Sequence, residues 1–406
     1  MEFISGGVCA AQGFYAGGIH CGIRPNKTKN DLALIYSEFP CVSAAMFTTN
    51  IVKAAPVRLD SELAKSGRAR AVIANSGIAN ACCENDTVNA ERMNALASAA
   101  LGFDRSEVFV SSTGVIGQEL NVKAVESGMP ALIGSCKHSP EGSDAAARAI
   151  MTTDTVKKEF AVAFELGGKK VVIGGISKGS GMIHPNMGTM LCYLTTDCAI
   201  DRSLLDKALR AVCGKTFNSI SVDGDMSTND SLIIFANGRA GNPIIDAEND
   251  DYLAFESALF ELCRAIARAM AADGEGAKHL MTCRVSGAPS ETQAKLLAKS
   301  VICSTLTKSA IFGCDANWGR VLCAMGYSGV DFDPEKCDIA FSSQAGRIDV
   351  CRNGRGLAFD EELAKKILSE NEVVIEADIK SGESSFECWG CDLTYDYVRI
   401  NGDYRT

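Results

Sequence analysis

The stretch that most constrains this chain is an irregular loop between two apolar runs near its middle. Residues 171–175 (VVIGG) and 190–195 (MLCYLT) are both typical of buried β-strands. The loop between them is rich in glycine, contains a proline and ends on Thr189, where the second strand begins. Catalytic groups often lie on a loop that rigid strands hold in place. Thr189 is therefore the first candidate for a reacting side chain.

The chemistry of Thr189 depends on where its base comes from. A threonine hydroxyl is a weak nucleophile unless a base removes its proton. Cleavage of the Gly188–Thr189 peptide bond makes Thr189 an N-terminal residue, whose own α-amine, with a pKa of about 8, can serve as that base. Gly188 has no side chain to block attack of the Thr189 hydroxyl on its carbonyl. The residues alone also allow a second interpretation, an ordinary threonine at the start of a strand.

Composition excludes several classes of protein. The chain has 406 residues, of which 47% are hydrophobic, so we expect two or three domains or one large layered unit. A net charge of −10 argues against nucleic acid or an anionic membrane as a partner. No segment approaches the roughly 18 apolar residues of a spanning helix. The N-terminus has no signal-peptide pattern, so a chain with 18 cysteines is expected in the cytoplasm with its thiols reduced.

Three other patterns indicate other kinds of site, and none of them is complete. Residues 175–179 (GISKG) fit the nucleophile elbow of hydrolases, but the helix that should follow is missing. Residues 223–227 (DGDMS) begin like a calcium loop, but Thr228 and Ile234 replace its required glycine and glutamate. Cys388 and Cys391 lack the two further ligands of a zinc site. We therefore expect no metal.

Helix-like and strand-like segments alternate along the chain, which indicates helices layered on sheets. Residues 251–272 have apolar side chains at spacings of three and four and predict a long amphipathic helix. Residues 292–311 predict another helix. Residues 397–406 predict a strand followed by a polar tail.

Together these segments resemble the ornithine acetyltransferase family, self-processing enzymes of arginine biosynthesis, over essentially the whole chain. The motifs that carry the resemblance are residues 75–77 (NSG), 112–117 (STGVIG), 151–155 (MTTDT), 178–191 (KGSGMIHPNMGTML), 222–230 (VDGDMSTND), 273–276 (DGEG), 317–320 (NWGR) and 399–406 (RINGDYRT). So many motifs in one order make the resemblance specific.

The resemblance implies an α+β fold, a layered helix–sheet–sheet–helix sandwich with mixed sheets, which self-cleaving aminopeptidases share. It implies cleavage at Gly188–Thr189 into an α chain, 1–188, and a β chain, 189–406. The two chains together would form one catalytic unit with a smaller C-terminal subdomain near 280–406. Members of the family usually carry alanine where this chain has Gly188.

The resemblance also implies roles for individual residues. Thr189 would be the nucleophile, and Thr113 and Gly114 would form the oxyanion hole. The implied substrate-binding residues are Thr152, Lys178, Thr189, Glu275, Asn401 and Thr406.

The implied activity is a ping-pong transfer of acetyl from N2-acetyl-L-ornithine to L-glutamate without a cofactor. Some members also use acetyl-CoA as an acetyl donor. The implied partners are these small molecules and two copies each of the α and β chains. Two alternatives stay open: a self-cleaving aminopeptidase or amidase of the same fold, and a non-catalytic amino-acid sensor.

Overall fold

The structure, a computed structural model, describes residues 1–25, 29–184 and 190–403. These residues form seventeen β-strands and eleven α-helices. The strands are β1 (Glu2–Ile4), β2 (Phe14–Ile19), β3 (Leu32–Ser37), β4 (Val42–Phe47), β5 (Ala71–Ile78), β6 (Val108–Val115), β7 (Lys158–Leu166), β8 (Lys169–Lys178), β9 (Leu191–Thr196), β10 (Ile220–Ser221), β11 (Ser231–Ala236), β12 (Leu280–Ala288), β13 (Asp338–Ser343), β14 (Gly346–Arg352), β15 (Arg355–Gly356), β16 (Glu372–Asp378) and β17 (Ser384–Cys391). The helices are α1 (Ala55–Leu63), α2 (Asp86–Leu101), α3 (Val122–Ser135), α4 (Pro140–Ile150), α5 (Arg202–Lys215), α6 (Asp250–Ala272), α7 (Glu291–Cys303), α8 (Thr305–Phe312), α9 (Trp318–Gly326), α10 (Glu361–Leu368) and α11 (Tyr395–Asp403).

The strands on either side of the central loop, β8 and β9, belong to the first of two neighbouring sheets. The first has the order β1-β7-β8-β9-β11-β4 and the second β2-β3-β5-β6. Every residue of β9 and β11 is buried, because these central strands are covered on both faces. β8 and β9 are antiparallel neighbours with Lys178 opposite Leu191, so the predicted strand–loop–strand arrangement is confirmed.

The two sheets pack face to face with helices on their outer faces. Phe109 of β6 and Phe235 of β11 stack across the interface with ring centroids 6.1 Å apart. Side chains of α5 and α6 form a core with the outer face of the first sheet, and those of α2 and α3 with the outer face of the second. Both sheets mix parallel and antiparallel pairs. The predicted helix–sheet–sheet–helix class is confirmed.

A third sheet has the order β10-β17-β12-β16-β13-β14-β15 and packs against α7, α9 and α10 around its own core. The short strand β10 pairs in parallel with β17, with Ile220 opposite Trp389. β10 lies in the chain between α5 and β11, which both belong to the sandwich, so this pairing connects the third sheet to the sandwich.

Two local predictions are wrong. Residues 397–403 are helical in α11 instead of forming a strand, because the helix packs onto Gly276, where an added Cβ would lie 2.7 Å from the Tyr397 nitrogen. The predicted helix 292–311 is two helices, since Ser304 is extended and its hydroxyl accepts the Thr307 N–H (3.2 Å), which caps α8. The prediction for residues 251–272 is confirmed by α6.

Most of the eighteen cysteines are buried, as expected for small core side chains. Burial raises the pKa of Cys388 to about 12, so this thiol stays protonated. Within the described ranges, no group of three or more His, Cys, Asp or Glu side chains is placed to hold a metal ion. None of the helices in those ranges is long and apolar enough to cross a membrane.

Candidate active site

One cavity of about 130 Å³ gathers the predicted site residues that the structure describes. These residues are Thr113, Gly114, Thr152, Lys178, Glu275 and Asn401. The cavity lies where the ends of β6 and β8 meet the turn before β11 and the helix α11. A larger open groove of about 670 Å³ beside Met1 and α6 contains none of them. Gly188, Thr189 and Thr406 lie outside the described residues.

Thr113 and Gly114 form a tight corner at the end of β6. β5 and β6 run in parallel, with Gly77 opposite Gly114. Gly114 has a φ of +132°, and a Cβ there would lie 2.2 Å from the Gly77 carbonyl carbon. Only glycine fits this close approach. The corner therefore holds the Thr113 hydroxyl in a fixed position at the cavity, as an oxyanion hole requires.

Lys178 is a buried cation at the end of β8. The residue is only 6% exposed, and its Nζ donates a hydrogen bond to Thr113 Oγ1 at 3.3 Å. Since an ammonium group only donates, the Thr113 hydroxyl hydrogen remains available to a further acceptor. Burial lowers the pKa of Lys178, against the opposing effect of the nearby carboxylates, of which Asp154 has the largest effect.

Glu275 supplies a negative charge to the same cavity. Its backbone N–H donates to Ser180 O (2.8 Å), and a Cβ at Gly181 would lie 2.3 Å from its carboxyl carbon. Gly181 thus leaves room for the carboxylate. Asn401 of α11 donates from Nδ2 to Glu275 Oε2 at 2.7 Å. The cavity consequently holds one cation and one anion in defined positions, an arrangement that suits an amino acid.

Thr152 and Thr153 line the cavity beside a buried carboxylate. The Thr152 N–H donates to Asp154 Oδ2 (3.0 Å), and the Thr153 hydroxyl lies 2.8 Å from Ser180 Oγ, one donating to the other. Asp154 Oδ1 also accepts the Gly179 N–H at 2.7 Å. Asp154 therefore joins the segment of Thr152 to the backbone that follows Lys178.

A buried ion cluster supports this junction. Lys158, which is 0% exposed, donates to Asp154 Oδ1 (2.6 Å) and to Asp273 Oδ2. Burial alone would raise the pKa of Asp154, but Lys178 and Lys158 outweigh burial and lower that pKa from 3.8 to about 2. The lowered pKa means that this carboxylate stabilises the fold fully above about pH 4 and loses its effect as the pH falls through 2.

Replacing Lys158 by methionine will destabilise the protein strongly, because two buried carboxylates lose their cation. We expect the free energy of unfolding to fall by roughly 3–5 kcal/mol at neutral pH, measured by urea denaturation. The control is Lys207→Met, which removes an exposed pair with Glu248 and should change stability by less than about 1 kcal/mol. Equal effects of the two variants would contradict this account of the cluster.

Asp223 holds the segment that leads toward the predicted cleavage site. Its two carboxylate oxygens accept the N–H groups of Met182 (2.5 Å) and Ile183 (2.8 Å). Met182 has a φ of +54°, a left-handed conformation that is unfavourable for its side chain. In the sequence, Asp223 belongs both to the incomplete calcium loop and to the family-like motif 222–230, and the second of these was the signal for a structural role next to the site.

The other sequence-derived candidates have structural partners instead. Ser177, the central residue of the elbow-like motif, is fully buried and donates to Leu191 O at 3.1 Å. His279, a histidine that could have served as the base of such a motif, lies with Nδ1 2.8 Å from Glu370 O. Neither residue lines the cavity.

Comparisons with known proteins identify one family. A model of the ArgJ family matches residues 15–406. The chain is 48% identical over 407 residues to arginine biosynthesis bifunctional protein ArgJ of Caldanaerobacter subterraneus subsp. tengcongensis, with 100% of both chains covered. It is 48% identical over 408 residues to the protein of the same description from Symbiobacterium thermophilum, again with 100% of both covered. The crystal structure of arginine biosynthesis bifunctional protein argJ from Bacillus halodurans matches with a TM-score of 0.50 at 43% identity, covering 52% of this chain and 97% of that chain.

Proposed function

This chain belongs to the ArgJ family, and on that premise we propose that it is an acetyltransferase of arginine biosynthesis, which moves acetyl from N2-acetyl-L-ornithine to L-glutamate. The observation that carries this proposal is one cavity that combines the Thr113–Gly114 corner with Lys178 and Glu275. Acyl transfer needs oxyanion donors, and two amino-acid substrates need a cation and an anion.

The nucleophile of the proposed enzyme is Thr189 after self-cleavage. Thr189 Oγ adds to the Gly188 carbonyl carbon, the C–N bond breaks as an ester forms, and the Thr189 nitrogen takes up the proton. Water then hydrolyses the ester and releases residues 1–188. The freed α-amine becomes the base for the hydroxyl next to it. Two observations support this proposal. Leu191, two residues after Thr189 in the chain, lies opposite Lys178, which lines the cavity. The B. halodurans chain is matched along 97% of its length but covers only 52% of this chain, as one product of such a cleavage would.

Acetyl transfer then proceeds in two half-reactions. Thr189 Oγ attacks the acetyl carbonyl of acetylornithine, and the hydroxyl proton passes through the α-amine to the leaving nitrogen of ornithine. Glutamate enters, and its amine attacks the acetyl ester to give N-acetylglutamate and free Thr189. The Thr113 hydroxyl, which accepts from Lys178, donates to the oxygen that becomes negative in both steps.

Recognition must use what ornithine and glutamate share, because their side-chain ends carry opposite charges. Lys178 binds the α-carboxylate and Glu275 the α-nitrogen. Thr152, Asn401 and Thr406 complete the binding site. Asn401 acts through its hydrogen bond to Glu275, which fixes the carboxylate.

Several further properties belong to the same proposal. The reaction uses no cofactor, since one covalent nucleophile carries the acetyl group. Acetyl-CoA serves as a second acetyl donor for glutamate. The mature enzyme contains two α and two β chains and works in the cytoplasm.

Transfer of labelled acetyl from N2-acetyl-L-ornithine to L-glutamate by the purified protein tests the activity itself, and absence of transfer would refute it.

Replacing Glu275 by glutamine will weaken both half-reactions to a similar extent. The change keeps the shape of the side chain and removes a charged hydrogen-bond partner, which is worth about 1.5–3 kcal/mol. We expect kcat/KM for acetylornithine and for glutamate each to fall by roughly 10–100-fold, measured by varying each substrate separately. A loss confined to acetylornithine would instead place Glu275 at the side-chain ammonium of ornithine.

A further inference from the structure

Asn229 is a buried residue that borders the oxyanion corner and has no role in the chemistry described so far. It is 6% exposed and lines the active-site cavity. Its Nδ2 donates to two backbone carbonyl oxygens, those of Ala79 (2.6 Å) and Ser112 (2.9 Å). Because carbonyls only accept, this pairing determines the orientation of the amide.

The two carbonyls belong to the strand ends that form the corner. The Ser112 carbonyl is part of the peptide bond that carries the Thr113 N–H, and Ala79 follows the last residue of β5. β5 and β6 approach most closely at Gly77 and Gly114. Asn229 therefore holds both strand ends from a third segment, the turn before β11.

The amide is itself held in place. Its Oδ1 accepts a hydrogen bond from the Thr228 hydroxyl, and its backbone N–H donates to Ser227 Oγ at 3.1 Å. The side chain thus has partners at both ends of the amide. Because the side chain is fixed in this way, the position of the turn before β11 determines the position of the corner that the side chain contacts.

We propose that Asn229 is a positioning residue for the oxyanion hole, which sets the position of the Thr113 hydroxyl without touching substrate. This inference rests on the proposed acetyl-transfer function. The same hydrogen bonds hold the corner, which precedes Thr189 in the chain, in a fixed position relative to the turn before β11, which follows Thr189. Once the chain is cut, the Asn229 hydrogen bonds join the two polypeptides at the reacting centre.

Asn94 provides a matched control at the other end of β6. It is 2% exposed, and its Nδ2 donates to the carbonyls of Arg105 (2.9 Å) and Val108 (2.6 Å), the latter being the first residue of the strand. Asn94→Ala therefore removes the same kinds of hydrogen bond from the same strand, far from the cavity. We expect both Asn94→Ala and Asn229→Ala to lower the urea midpoint.

The two variants should differ in kinetics. Asn229→Ala should lower kcat by about 10–100-fold, because misplacement of a catalytic donor by a fraction of an ångström to one ångström has effects of that order, and KM should stay within about threefold. Asn94→Ala should leave kcat within about threefold of the wild-type value. An equal loss of kcat in both variants would overturn the inference.

A double-mutant cycle with Thr113→Val tests whether Asn229 acts through the corner. If it does, Asn229→Ala in the Thr113→Val background should lower kcat by less than about threefold, because the donor that it positions is already gone. Fully additive losses would overturn the inference. Should Asn229→Ala not fold, Thr228→Val, which removes only the hydroxyl that holds the amide, is expected to lower kcat about 3–10-fold, and an unchanged kcat would count against the inference. Failure of the wild-type protein to transfer acetyl would instead refute the proposed function.

Discussion

Replacing Thr189 by alanine will leave a single uncut polypeptide without acetyltransferase activity. Alanine has no hydroxyl to attack the Gly188 carbonyl, and so neither the ester nor the free α-amine can form. We expect acetyl transfer to fall by roughly 10⁴-fold or more, the order of loss that follows removal of a covalent nucleophile. Denaturing electrophoresis and an assay of labelled acetyl transfer measure the two effects on the same preparation.

The matched variant is Thr189→Ser, which keeps both a hydroxyl and, after cleavage, an α-amine. It should be cut and should retain measurable transfer activity, because the chemistry needs the hydroxyl and not the methyl group. Transfer at the wild-type rate by Thr189→Ala would show that another residue carries the acetyl group.

The second large effect is expected at Thr113. Valine has nearly the shape of threonine but cannot donate to the developing oxyanion, and loss of one such donor lowers kcat by about 10²–10³-fold. Thr113→Ser should restore most of this loss. The effect is measured as kcat for each acceptor and donor pair at saturating substrate.

Thr195→Val is the control for Thr113→Val. Thr195 is also a buried threonine on a sheet strand, and its hydroxyl donates to the Val8 carbonyl at 2.8 Å. Its replacement should reduce stability by about 1 kcal/mol and leave kcat unchanged. If the two variants lost kcat equally, the role of Thr113 in stabilising the oxyanion would be wrong.

The parts of this molecule that sequence could predict are those with a local signal. The loop before Thr189 is predictable because two apolar runs flank glycines and a proline, and β8 and β9 are neighbours. Thr113 and Gly114 stand out as a hydroxyl and a glycine at a strand end, and the family resemblance supplied their role. The structure adds the reason for the glycine, which is the close approach of Gly77.

The parts that could not be predicted depend on contacts between distant segments. Asn229 reaches carbonyls 150 and 117 residues away in the chain, and no spacing pattern reports such contacts. The sequence predicts a strand at α11, whereas its helical conformation depends on packing against Gly276 and on the hydrogen bond from Asn401 to Glu275. In both cases the determining partner is far along the chain.

The central claim is that the working enzyme is two polypeptides, with Thr189 at the start of the second. Intact-mass measurement combined with N-terminal sequencing of purified, active protein tests it most directly. We expect two species, residues 1–188 and residues 189–406, with threonine as the first residue of the latter. A single continuous polypeptide of 42.9 kDa that transfers acetyl at the full rate would contradict the account.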